Sequence, residues 1–90
     1  MCSLLFSTKP INNLAYANEY LAKRGPDKTN YITHKNHHYV HNLLSITGAF
    51  TLQPLFGDDI AVLFNGEVYN FKEFGDYDND SKCIGPLYEQ

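Results

Sequence analysis

The second residue of the chain is a cysteine, and chemistry is first to be sought there. A small residue at position two favours removal of the initiator methionine, which leaves Cys2 with a thiol and a free α-amine together. Such an amine titrates near neutrality and suits the task of taking the thiol proton, directly or through a water. A second candidate is Asn65-Gly66-Glu67, which follows the most apolar run of the chain, Ile60-Ala-Val-Leu-Phe64. A side-chain amide and a glycine N–H at a strand end can converge on a developing oxyanion, and the glycine permits close backbone approach. The same Asn-Gly pair is also the commonest two-residue turn signal.

Weaker signals point elsewhere. His34, His37, His38 and His41 crowd into eight positions, but no cysteine or carboxylate sits among them at ligand spacing, so no metal is expected. Asp76, Asp78 and Asp80 alternate without the glycine and closing glutamate of a calcium loop, and read as solvated turn residues. Cys83 reads as a small buried side chain. No cofactor motif is present.

The elements that must position Cys2 and Asn65-Gly66 follow from pattern. Cys2 to Thr8 is a short apolar run, read as a buried strand. Pro10 fits a first helical turn, and Ile11, Leu14, Ala15, Leu21 and Ala22 share one face of a helix that Gly25-Pro26 ends with a left-handed cap. From Thr29 to Thr47, β-forming residues flank Lys35-Asn36, which predicts two strands and a turn. Gly48 to Gly57 is a loop carrying Gln53-Pro54, and Asp58-Asp59 make the next turn. Ile60 to Phe64 is expected to be a strand buried on both faces. Phe71 to Phe74 reads as a helical turn, Gly75 to Asn79 as polar loop, and Asp80 as the cap of a short last helix, in which Gly85-Pro86 sits badly.

Ninety residues make one small domain or part of one. An apolar fraction of 43% with 19% charged residues is a globular composition. A net charge of −3 excludes the electrostatic footprint of a nucleic-acid binder, and no stretch approaches a membrane span. Two cysteines at opposite ends do not make a disulfide framework, so a reducing, cytoplasmic setting is expected.

Several blocks occur in one order at sensible spacing: Met1-Cys2, Arg24-Gly25-Pro26-Asp27, Leu44-Ser45-Ile46, Gln53-Pro54-Leu55 and Asn65-Gly66-Glu67-Val68-Tyr69-Asn70-Phe71. With the tail Asn79-Asp80-Ser81 and Leu87-Tyr88-Glu89, the chain resembles the glutaminase domain of the class II glutamine amidotransferases, of the asparagine synthetase type, over residues 1–90. The resemblance implies an α+β fold: the first half of an αββα N-terminal nucleophile hydrolase sandwich, with a mainly antiparallel sheet and one long helix. It implies that Cys2 attacks the side-chain amide of glutamine, releases ammonia and leaves a glutamyl thioester for water to cleave. Asn65 and Gly66 match the oxyanion hole. Glu67 and Asp80 match positions that hold the substrate's α-amino group. Leu44, Ser45 and Ile46 match the strand bordering the glutamine pocket, and Arg24 matches an arginine that orders the nucleophile's surroundings.

Four features depart from that pattern. The arginine that would clamp the glutamine α-carboxylate is Leu43, a change worth about 2–5 kcal/mol in binding if nothing substitutes. Ser3 replaces a glycine and is expected to crowd the nucleophile. Lys82 replaces a glutamate and is expected to reverse a charge near Asp80. The chain also spans only the first half of the resembled domain, so a second copy or a partner chain is expected to cover the open sheet. Two readings stay open: a glutaminase-type domain with glutamine as substrate, and a catalytically inactive relative serving as a structural or interaction module.

Overall fold

The computed structural model describes residues 2–46 and 48–90. Met1 and Thr47, which entered the expectations on processing and on the end of the second strand, lie outside the described residues. Among the described residues, five strands and two short helices follow in the order β1 (Ser3–Ser7), α1 (Leu14–Leu21), β2 (Lys28–His34), β3 (His37–Leu43), β4 (Leu55–Phe56), β5 (Ala61–Val62) and α2 (Ile84–Glu89). Single 3₁₀ turns cover Phe71–Glu73 and Asp80–Cys83. The fold is α+β with antiparallel pairing in both sheets.

β3 is the middle strand of a three-stranded sheet ordered β1-β3-β2. Lys35 and Asn36 close the β2–β3 hairpin as predicted, with φ of 51° and 63°, the two left-handed residues of a type I′ turn. That turn fixes the register: Asn42 lies opposite Ser3 on one side and Thr29 on the other. These three residues share a face, and α1 lies on it. Asn42 is wholly buried there, and its carboxamide is nearly satisfied. Its Nδ2 donates to Ser3 Oγ at 3.1 Å and Asn18 Oδ1 at 2.7 Å, while Oδ1 accepts from Thr29 Oγ1 at 2.6 Å. Ser3 Oγ in turn donates to the Leu21 carbonyl of α1 at 2.7 Å.

The helix departs from expectation. It spans eight residues, because Asn13 takes a left-handed conformation (φ 53°) that leaves Pro10 and Ile11 outside. Its inward residues are Leu14, Ala17, Asn18 and Leu21, none fully buried, and Ala15 faces solvent. Gly25 does not serve as a left-handed cap either. It is buried against β3, where a Cβ would sit 2.0 Å from the Asn42 carbonyl oxygen. Glycine is required there by close backbone approach.

The other face of the sheet carries an aromatic cluster. Phe56 of β4 packs on His34 (4.6 Å between ring centroids) and edge-on to Tyr39 (6.0 Å), and Phe6 packs on Tyr39 and His37. The β4–β5 hairpin therefore covers this face, joined through the expected Asp58-Asp59 turn, with Gly57 N–H donating to the Ile60 carbonyl at 2.9 Å. Beyond the hairpin, Gly85 of α2 comes within side-chain contact of Ile60 and Val62.

Two strand expectations are corrected. β1 is only half buried, with Leu4 and Phe6 exposed, because α1 covers one face and Phe56 of the β4–β5 hairpin packs on His34 of β2 and Tyr39 of β3 on the other. The Ile60–Phe64 run forms a ladder over Ala61 and Val62 only, and none of its five residues is fully buried. Its one partner, β4, is two residues long, and its other edge has no partner strand among the described residues. Val40, Leu43 and Cys83, with Pro54, are the buried apolar side chains of the described residues. At the C-terminal end the cap is Asn79, whose Oδ1 accepts from Ser81 N–H at 3.0 Å. Pro86 is tolerated because it falls in the first turn of α2.

The Gly25 contact gives a direct test. Gly25→Ala must push backbone away from backbone and is expected to cost about 3 kcal/mol or more, whereas Gly57→Ala meets only movable side chains, Ile60 at 3.0 Å and the Glu89 carboxylate at 3.1 Å. Urea denaturation of the two variants should rank them in that order, and comparable stabilities would show that the loop is free to give.

Candidate active site

Four segments meet at one cleft on the side of the sheet opposite α1. Cys2 enters at the start of β1, opposite Leu43 in the register that pairs Ser3 with Asn42. Leu43 to Ile46 leave the end of β3, Phe64 to Glu67 follow β5, and Asn79 to Ser81 open the last 3₁₀ turn. Thr51 and Gln53 complete the lining.

The thiol is held by backbone. Leu44 N–H donates to Cys2 Sγ at 3.3 Å, and Sγ lies 3.7 Å from the Leu44 carbonyl oxygen. A backbone donor aimed at sulfur offers partial compensation for the negative charge a thiolate carries. Leu44 is itself fixed by the loop after α1. Asp27 N–H donates to the Leu43 carbonyl at 2.8 Å, and Asp27 Oδ2 accepts from Ser45 N–H at 2.7 Å.

The Asn65-Gly66 segment is anchored at both ends. Before it, Phe64 N–H donates to Gln53 Oε1 at 2.7 Å, and the Gln53 carbonyl accepts from Asn30 Nδ2 at 2.7 Å, which ties this segment to β2. After it, Val68 N–H donates to Asp80 Oδ2 at 2.9 Å. Asp80 is buried and Glu67 exposed, and both line the cleft. Asn79 holds the facing loop through Nδ2 to the Ala49 carbonyl at 2.9 Å.

Cys2, Leu44, Ser45, Ile46, Asn65, Gly66, Glu67 and Asp80 thus share one cleft. Arg24 does not join them: it is exposed in the turn after α1 and does not line the cleft. Two expected disturbances are absent among the described residues. Ser3 points to the α1 face and does not crowd Cys2. Lys82 turns outward, pairs with Asp78 at 2.6 Å and holds that carboxyl below its usual value, so it does not reverse the charge beside Asp80. Leu43 does line the cleft, as an apolar wall.

A family model of the glutamine amidotransferase domain matches residues 1–82. The chain belongs to that family. Neither a curated protein nor a solved structure matches it significantly. Within this amidotransferase domain, Gln53 and Asp27 are the positioning residues that sequence reasoning did not single out. Both lie in quoted motifs, but nothing in a sequence tells which backbone group a side chain will meet.

The histidines do not converge. His38 Nδ1 meets Tyr31 Oη at 2.9 Å and Thr33 Oγ1 at 3.2 Å on one face, while His34 and His37 join the aromatic cluster on the other. No group of three His, Cys, Asp or Glu side chains among the described residues is placed to hold a metal. His41 is buried behind the cleft, 1% exposed, with no hydrogen-bond partner for either ring nitrogen among the described residues. Burial holds it below the ordinary histidine value of 6.5, with the Phe64 backbone opposing that shift. The unfolded chain then takes up the proton first as pH falls. Stability is expected to be full above 6.5 and to decline as pH drops through the lower folded-state value. His41→Leu should flatten that decline in denaturation curves taken across a pH series, and an unchanged slope would place the titration elsewhere.

Proposed function

We propose that this amidotransferase domain is a class II, N-terminal nucleophile glutaminase of the asparagine synthetase type, which hydrolyses a glutamine side-chain amide to glutamate and ammonia through a Cys2 thioester. The observation that carries this reading is the single cleft bringing Cys2 together with Asn65-Gly66 and with the carboxylates of Glu67 and Asp80.

The steps follow from the residues. Removal of Met1 frees the Cys2 α-amine to accept the thiol proton. The sulfur attacks the amide carbon, and the Asn65 carboxamide with the Gly66 N–H stabilises the oxyanion. The C–N bond breaks and ammonia departs. Water then attacks the thioester and the sulfur leaves. Glu67 and Asp80 hold the α-ammonium, and Leu44, Ser45 and Ile46 border the pocket. Arg24 acts at a distance, through the loop whose Asp27 ties down Leu43 and Ser45.

In this reading, residues 1–90 supply the first half of an αββα sandwich. The layering of α1, the three-stranded sheet, the β4–β5 hairpin and α2 supports it. The open edge of β5 and the exposed Tyr88 beside it favour a homo-oligomer or a partner chain covering that side. A nucleophilic thiol must stay reduced, which favours the cytoplasm; no helix among the described residues is long and apolar enough to cross a membrane. One observation favours the second reading, an inactive amidotransferase-like module: the apolar wall at Leu43.

The deciding experiment measures ammonia release, with the N-terminus defined by intact mass. The glutaminase reading expects loss of Met1, turnover, and a drop of at least about a thousandfold in Cys2→Ala. Retained Met1 with no turnover would support the inactive module.

A further inference from the structure

The chemistry of the cleft wall constrains which glutamine it takes; this inference rests on the reading of the cleft as a glutamine-amide site. Among the described residues, the lining holds two carboxylates, Glu67 and Asp80, and no lysine, arginine or histidine. The nearby cations are engaged or remote. Lys82 is bound to Asp78 and lines a separate groove beside Leu55 and Pro86, and Arg24 is outside the cleft. The α-amine of a processed Cys2 must be neutral to serve as the base.

Free glutamine brings both charges of an amino acid to this surface. Its ammonium is well met. Asp80 spends Oδ2 on Val68 N–H, and its Oδ1 has no hydrogen bond to any described residue. Its α-carboxylate is not: among the described residues of the lining it finds no opposite charge, two like charges, and the buried Leu43 side chain as the wall beside Cys2. A glutamine whose carboxyl group is already in a peptide bond keeps the ammonium and the side-chain amide and loses the anion. The rim is open enough for a chain to leave, since Ile46, Asn65, Gly66 and Glu67 are all exposed.

We propose that the cleft takes glutamine at the amino terminus of a peptide in preference to free glutamine. The reaction is balanced by one water. Cys2 sulfur bonds to the side-chain carbonyl carbon, the C–N bond breaks, and ammonia leaves with the thiol proton. Water then cleaves the thioester, returning a proton to sulfur and leaving a peptide that begins with glutamate.

The test compares glutamine, Gln-Gly and N-acetyl-Gln-Gly with the full chain. Ammonia is measured, and mass spectrometry separates Glu-Gly from the product of spontaneous cyclisation. The expected kcat/KM for Gln-Gly exceeds that for glutamine by at least about tenfold, and acetylation of the amine removes the advantage. Equal or better use of free glutamine overturns the proposal. Leu43→Arg, if circular dichroism shows it folded, should move the preference back toward free glutamine. If neither compound is turned over, calorimetry on the unmodified protein decides. Tighter binding of Gln-Gly than of glutamine upholds this ligand class while the hydrolytic reading falls. Equal binding, or none, overturns the ligand class itself.

Discussion

The structure depends on one buried carboxamide. Asn42 sits in the middle strand with no exposure, and its bonds reach β1 through Ser3, β2 through Thr29 and α1 through Asn18. Leaving those polar groups unpaired would cost about 1–3 kcal/mol for each group. With so few buried apolar side chains among the described residues, Val40, Leu43, Pro54 and Cys83, polar satisfaction here carries an unusual share of the specificity. The network also sets the site. Because side chains alternate along β3, fixing Asn42 toward α1 turns Leu43 toward the cleft, opposite Cys2. The Leu44 backbone then reaches the thiol.

Much of the scaffold was legible because it is local. Lys35-Asn36 specifies its turn by the left-handed tolerance of Asn and by flanking β-formers, and the hairpin register follows from that turn. The Asp58-Asp59 turn was legible for a different local reason, since paired aspartates favour turns by bonding nearby backbone, and neither residue is left-handed. Ile60 to Phe64 was not, because an apolar run says that a strand wants burial and not whether neighbours exist to bury it. Gly25 was misassigned because a glycine after a helix suggests a cap, while its contact with Asn42 is set by tertiary packing.

The candidate site divides in the same way. The motif blocks carrying Cys2, Leu44 to Ile46, Asn65 to Glu67 and Asp80 were visible at once, and the fold gathers them at one cleft. The direction of each neighbouring side chain was not visible. Ser3 differs from Cys2 by one position and so faces the opposite side of the strand. Lys82 lies two positions after Asp80 and turns out to Asp78. Gln53 acts across a loop, joining Asn30 to Phe64, a connection that no spacing rule encodes.

The central claim is that Cys2 is the nucleophile of this cleft. The most direct test treats the protein with saturating 6-diazo-5-oxo-norleucine and maps the modified peptide by mass spectrometry. A single adduct on Cys2, with the fully buried Cys83 untouched, is the predicted result. An unmodified Cys2, or an adduct found only elsewhere, would contradict it.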